Sequence, residues 1–146
     1  MITRKPIPAP PRAYGRSAQL VADLRPLAGM QLLLLEDDEA TREGLALLLE
    51  WVGARVHGVA SVADAWQAFG EVRFDAILSD LILLRENGCD FIRRVRREAK
   101  ADVFAIAITG VVREHDREEA LHAGFDDFLQ KPVQVEDIIS KLQQRR

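Results

Sequence analysis

From Met30 onward the chain alternates between short apolar runs and longer segments in which apolar residues recur every three or four positions. Leu32–Leu35, Arg55–Val59, Ala76–Ser79, Phe104–Ile108 and Phe128–Leu129 are strand-like runs. Between them, Leu45, Leu48, Leu49 and Val52 mark one helical face, Val62, Ala65, Trp66 and Phe69 a second, and Phe91, Ile92 and Val95 a third. Val112 with Asp116 to Ala123, and then Val135, Ile138, Ile139 and Leu142, continue the series. The order reads βαβαβαβαβα. Strands alternating with single helices imply right-handed crossovers and a parallel sheet covered on both faces; runs as apolar as Leu32–Leu35 suit strands buried on both sides. The expected fold is α/β, a five-stranded parallel sheet flanked by five helices.

Ahead of this pattern, Pro6, Pro8, Pro10, Pro11 and Pro26 fix φ and remove N–H donors, so residues 1–28 read as a Pro-rich flexible tail or linker and 29–146 as the folded domain. Within the tail, Ser17 to Leu24 has Leu20, Val21 and Leu24 on one face, enough for a helical turn or two before Pro26. Length and composition, 146 residues with 48% hydrophobic and 29% charged, suit a single core. The net charge of −3 is divided. Residues 1–29 carry five Lys/Arg against Asp23, while the remainder carries fifteen against twenty-two Asp/Glu, which argues against a nucleic-acid surface. No uninterrupted apolar run approaches the ~18 residues of a membrane span, so a cytoplasmic protein without membrane contact is expected. Cys89, the one cysteine, has no partner for an internal disulfide.

In an open parallel sheet, reactive groups gather beyond the carboxyl ends of the strands. After the first strand come Glu36, Asp37, Asp38 and Glu39; after the third, Asp80; after the fourth, Thr109 and Gly110; after the fifth, Lys131 and Pro132. Carboxylates gathered at one point repel unless a cation neutralises them, and an all-oxygen set suits a hard divalent ion such as Mg2+. A carboxylate beside such an ion can attack an activated phosphoryl group, provided the incoming charge is met by a cation and a hydroxyl; Asp80, Lys131 and Thr109 fit those parts. Taken singly, Asp80 also reads as a helix cap or loop acid, Glu36 and Asp37 as helix-dipole acids, Lys131 as a solvated lysine and Phe128 as core. The distributed combination favours phosphoryl chemistry.

These residues resemble the receiver domains of two-component response regulators over about residues 30–146. Leu33 to Glu43 is similar to that family's first strand, acid pair and first helix; Ser79-Asp80 with Gly88 eight residues on, to its phosphoacceptor loop; Ala107-Ile108-Thr109-Gly110, to its switch threonine; and Ala123 to Pro132, to its last strand and lysine. Counting back five residues from Arg42 selects Asp37, preceded by Glu36, as the acid pair, and leaves Asp38 for the helix start. The resemblance implies a flavodoxin-like strand order 2-1-3-4-5, phosphorylation of Asp80, and Mg2+ held by Asp37, Asp80 and the Ile82 carbonyl with Glu36 acting through water. It also implies a cis bond at Lys131-Pro132. Thr109 and Phe128 are implied as the switch pair that remodels the surface of the fourth helix and fifth strand.

The family usually carries Met-Pro three and four residues after the phosphoacceptor; here Leu83-Leu84 stands there, so the loop is expected to be differently shaped or more mobile, with Glu86 near attacking water. Arg93, Arg94, Arg96 and Arg97 read as a solvated helix face. An aspartate-nucleophile phosphatase would want a second Asp at Ile82, and a nucleotide-binding enzyme a glycine-rich turn after the first strand. The resemblance thus implies a signalling phosphoacceptor that catalyses only its own phosphorylation and dephosphorylation. Its rival is a pseudo-receiver, a protein-binding module not regulated by phosphorylation. The expected partners are a sensor histidine kinase or phosphotransfer protein as donor, and a downstream protein target or a second copy of the chain. With about fourteen residues after Pro132, no DNA-binding output domain is expected to follow.

Overall fold

The computed structural model describes residues 24–110 and 113–145. Five strands, β1 (Gln31–Leu35), β2 (Arg55–Val59), β3 (Ala76–Asp80), β4 (Phe104–Thr109) and β5 (Asp127–Gln130), alternate with five helices, α1 (Glu39–Trp51), α2 (Val62–Glu71), α3 (Gly88–Arg97), α4 (Glu114–Ala123) and α5 (Val135–Arg145). All strand pairs are parallel, in the order β2-β1-β3-β4-β5, as expected. Strand pairing runs past the apolar stretches to take in Asp80 and Thr109, because backbone hydrogen bonding does not stop where hydrophobic side chains do.

Side chains alternate across each strand and build two cores. Leu33, Leu35, Ile77, Ala105 and Ala107 face α2, α3 and α4, meeting Ala65, Phe91, Ile92, Val95, Ala120 and Ala123. Leu32, Leu34, Leu78, Ile106 and Ile108 face α1 and α5, meeting Ala46, Leu49, Ile138 and Leu142. The central β3 is buried along its whole length, as a strand covered on both faces must be.

The helix starts follow local chemistry. Asp38, Ser61 and Asn87 cap α1, α2 and α3 by accepting hydrogen bonds from Thr41, Asp64 and Cys89 amides. The α4 helix is largely polar and buries only Ala120 and Ala123, which is why its sequence pattern is the faintest; Val112, read as its first apolar position, lies outside the described residues.

Two readings change. Leu27, inside the stretch read as tail, is fully buried in the α1/α5 core, and its N–H donates to the Val52 carbonyl at 2.9 Å. That docking leans on Gly53, whose φ is +110° and whose missing Cβ would stand 2.6 Å from the Ala28 nitrogen. Packing thus begins ahead of Met30; the rest of the tail, including Ser17 to Asp23, lies outside the described residues. Arg96 also differs from the solvated reading. Its guanidinium donates to the Gly124 carbonyl (3.0 and 2.9 Å), the Ala101 carbonyl (2.9 Å) and the Asp126 carboxylate (3.0 Å), tying α3 to the turn before β5. Arg94 lies 4.0 Å from the Trp66 ring centre, while Arg93 pairs with Asp90 and Glu119.

Candidate functional site

Among the described residues the buried polar side chains are Glu36, Ser79, Asp80 and Thr109, and all stand at the carboxyl edge of the sheet. Burying carboxylates is costly unless they are paired. The pairing is supplied by Lys131 just past β5, whose Nζ donates to Glu36 Oε2 at 2.8 Å and to Asp80 Oδ2 at 2.7 Å. Glu36, Asp37 and Asp80 each offer a carboxylate oxygen, and the three atoms lie within 4.8 Å of one another. Three hard oxygens around one point suit a divalent cation such as Mg2+.

Backbone groups hold the acids in place. The Ile82 N–H donates to Asp80 Oδ1 (3.1 Å), the Asp38 N–H to Glu36 Oε1 (3.1 Å) and the Leu84 N–H to Asp37 Oδ2 (2.6 Å). Arg42, one turn into α1, reaches back to the Glu36 carbonyl at 2.9 Å and so fixes the acid turn from behind. Asp38 points elsewhere. Its carboxylate accepts from the Thr41 hydroxyl (2.6 Å) and amide (2.9 Å), bonds that hold it below the usual carboxylate range.

Burial pushes the Glu36 carboxyl up, and neighbouring Asp80 adds to that, while the hydrogen bonds from Lys131 and the Asp38 amide pull it back in part. Burial alone would lower the Lys131 ammonium, but its bonds to Asp80 and Glu36 prevail and raise it. Lys131 is thus held charged, in the role a cation must play between two buried acids.

Thr109 and Phe128 lie outside this hydrogen-bonded cluster but share one side of the sheet. Thr109 ends β4 one residue beyond Ile108, the partner of Asp80 in register, and its carbonyl accepts the Lys131 N–H at 2.8 Å. Phe128 stands opposite Ala107, is half-buried and packs on the core beneath α2, α3 and α4. The Ile82 side chain is exposed; the bridge between Ile82 and Asn87 consumes the carbonyls of Leu81 and Glu86, not that of Ile82. The Lys131-Pro132 bond is cis, as the family resemblance implies.

The β3–α3 loop is tied to the rest of the domain at two points by side-chain carboxylates. Leu84 is tied to Asp37, and Glu86 accepts the Val62 N–H at 2.9 Å, the first amide of α2. Glu86 is therefore engaged with a helix N-terminus, where the amides and the helix dipole favour a carboxylate. Ser79, which precedes the expected phosphoacceptor position, donates its hydroxyl to the Asp80 carbonyl at 2.9 Å, the carbonyl against which Gly88 packs. A groove of about 580 Å3 leads to Asp80 and Lys131 past Leu45, Leu48 and Val133.

A family model described as the response regulator receiver domain matches residues 32–143. The chain belongs to the response-regulator receiver family. A receiver domain of a sensor histidine kinase from Pseudomonas aeruginosa PAO1, solved with magnesium ion coordinated in the active site cleft, is 34% identical; the match covers 80% of this chain and 97% of that one, with a TM-score of 0.72. The Vibrio cholerae chemotaxis protein CheY4, 24% identical over 80% of this chain and 98% of its own, has the same fold at a TM-score of 0.75. An uncharacterized 14.6 kDa protein of Leptolyngbya boryana is 35% identical across 83% of this chain and 93% of its own length. The Streptomyces coelicolor transcriptional regulatory protein AfsQ1 is 38% identical over 70% of this chain, and this receiver spans only 45% of AfsQ1's length. Among the described residues no helix is long and apolar enough to cross a membrane.

Proposed function

We propose that this receiver accepts a phosphoryl group on Asp80 from a phosphohistidine of a sensor histidine kinase or phosphotransfer protein, in a Mg2+-dependent reaction. In that transfer an Asp80 carboxylate oxygen forms the new O–P bond as the N–P bond breaks, and the donor imidazole keeps the bonding electron pair. Glu36, Asp37, Asp80 and the Ile82 carbonyl are the residues that would hold Mg2+, with Glu36 working through water; the ion supplies charge neutralisation at the phosphoryl oxygens. Lys131, released from Asp80 Oδ2, meets the added negative charge, and Thr109 donates its hydroxyl to the same group. Phe128 follows Thr109 on that side of the sheet, so the outcome is read at the α4/β5 surface by a protein target or a second copy of the chain.

The observation that carries this reading is the convergence of three carboxylates within 4.8 Å, two of them already bridged by Lys131. The groove over Leu45 and Leu48 offers a partner side chain a route to Asp80. The test is intact mass after incubation with Mg2+ and acetyl phosphate, comparing the natural chain with Asp80→Asn. A phosphoryl mass gain confined to the natural chain is expected. No gain, and no beryllofluoride binding, would replace this reading with that of a protein-binding module outside phosphorylation control.

A further inference from the structure

The loop between β3 and α3 departs from the family pattern at Leu84, and the departure has a chemical result. A proline at that position has no N–H, whereas Leu84 keeps one and donates it to Asp37 Oδ2 at 2.6 Å. A hydrogen bond of this length to an ionised carboxylate is among the stronger kinds. The Leu84 side chain itself adds no packing to this bond. The Leu84 side chain is 86% exposed, while its neighbour Leu83 is buried and its N–H is taken by the Glu86 carbonyl at 3.1 Å. At its other side the loop is anchored by Glu86 to α2. The amide of Leu84 thus links the loop tip to Asp37, as the Ile82 amide links the start of the loop to Asp80.

We propose that the Leu84 amide is a positioning group for the metal site: it holds the Asp37 carboxylate in the metal-free protein, and a divalent cation takes that carboxylate from it, freeing the loop tip. This inference rests on the reading of Glu36, Asp37 and Asp80 as the metal site. Mg2+ draws its oxygen ligands in to about 2.0–2.1 Å and takes up their negative charge, so the ion and the Leu84 amide compete for the charge of the one Asp37 carboxylate. The amide therefore weakens metal binding and couples it to the loop that carries Ile82. The exposed Leu84 side chain has no packing to retain it once the amide is released.

The experiment uses the full chain, nitrogen-15 labelled, titrated with MgCl2, with metal affinity measured by calorimetry on the natural chain, Leu84→Pro and Leu84→Ala. The Leu84 amide proton is expected to move toward the position of an amide bonded to water and to exchange faster with solvent as the ion saturates. Leu84→Pro, which lacks the donor, is expected to bind Mg2+ about tenfold tighter, and Leu84→Ala, which keeps it, within about twofold of the natural chain. If the amides of Glu36 to Asp38 and Asp80 shift while Leu84 stays put, the amide role is overturned and the metal site stands. If Mg2+ in the tens of millimolar moves none of them, both are overturned. The amide titration on the natural chain gives this answer even where the proline variant does not fold.

Discussion

Among the described glycines, Gly88 is the one where an added Cβ would stand nearest to a neighbouring atom, and this sets a sharp expectation. Gly88 opens α3 directly against the end of β3; an added Cβ would sit 2.1 Å from the Asp80 carbonyl oxygen, 2.8 Å from Ser79 Oγ and 3.1 Å from the Asp80 carbonyl carbon. Ordinary carbon–oxygen contacts are near 3.3 Å, so Gly88→Ala forces helix and strand apart by about 1 Å. The nearest atom is backbone and cannot swing aside, and the Gly88 N–H to Leu81 carbonyl bond of 2.9 Å is strained by the same movement. Overpacking of this kind costs about 3 kcal/mol, and the lower chain entropy of alanine in the unfolded state returns up to about 1, leaving about 2 kcal/mol of destabilisation. Urea unfolding followed by the fluorescence of Trp51 and Trp66 reads this directly. With a slope of about 2 kcal/mol/M, the midpoint should fall by about 1 M. Gly44→Ala is the matched control. It lies on the exposed side of α1 with nothing within 4 Å of the added Cβ, and it should raise the midpoint by about 0.4 M from helix propensity. A Gly88→Ala protein as stable as the natural chain would refute the steric reasoning.

Three further outcomes are expected. Lys131→Met removes the cation that competes with a metal for Asp80 and Glu36, so calorimetric Mg2+ affinity should rise about three- to tenfold even as phosphorylation by acetyl phosphate slows. The raised Glu36 carboxyl gains its proton in the folded state at a higher pH than in the unfolded chain. Its contribution therefore favours the metal-free fold fully below its ordinary 4.5 and is lost as pH rises through the folded value, while Mg2+ affinity should weaken as pH falls through that same window; calorimetry across a pH series should show the fall, flattened in Glu36→Gln. Arg96→Ala removes four hydrogen bonds to Gly124, Ala101 and Asp126 and should cost about 2 kcal/mol, a fall of about 8 °C in melting temperature, with Arg96→Lys recovering little because an ammonium cannot fork.

Most of the architecture is legible in the sequence because β1, β3 and β4 are buried on both sides and leave uninterrupted apolar runs, while α1 and α2 keep a clear three-four spacing. The acids, Lys131 and Thr109 are visible for a related reason: each lies at or just past the carboxyl end of a strand, and strand ends converge in a parallel sheet. What escapes is long-range and mostly backbone-borne. Arg96 looks solvated because its carbonyl partner, Gly124, is 28 residues away. The Leu84 N–H leaves no mark except the absence of proline, and Glu86 looks free because the Val62 amide that holds it belongs to another helix start. Leu27 is masked by Pro26, whose presence suggests linker while its neighbour fills the core.

Cys89, in the first turn of α3, is buried, and desolvation pushes its thiol up to about 11. Being the chain's one cysteine and standing next to Gly88, it is a hidden reporter on the joint between helix and phosphoacceptor strand. Near neutral pH it is almost wholly protonated and shut away, so a thiol reagent can reach it only in molecules where that joint has opened. The labelling rate of the unmodified protein therefore reports every opening, local or global, that uncovers this joint, without any introduced probe.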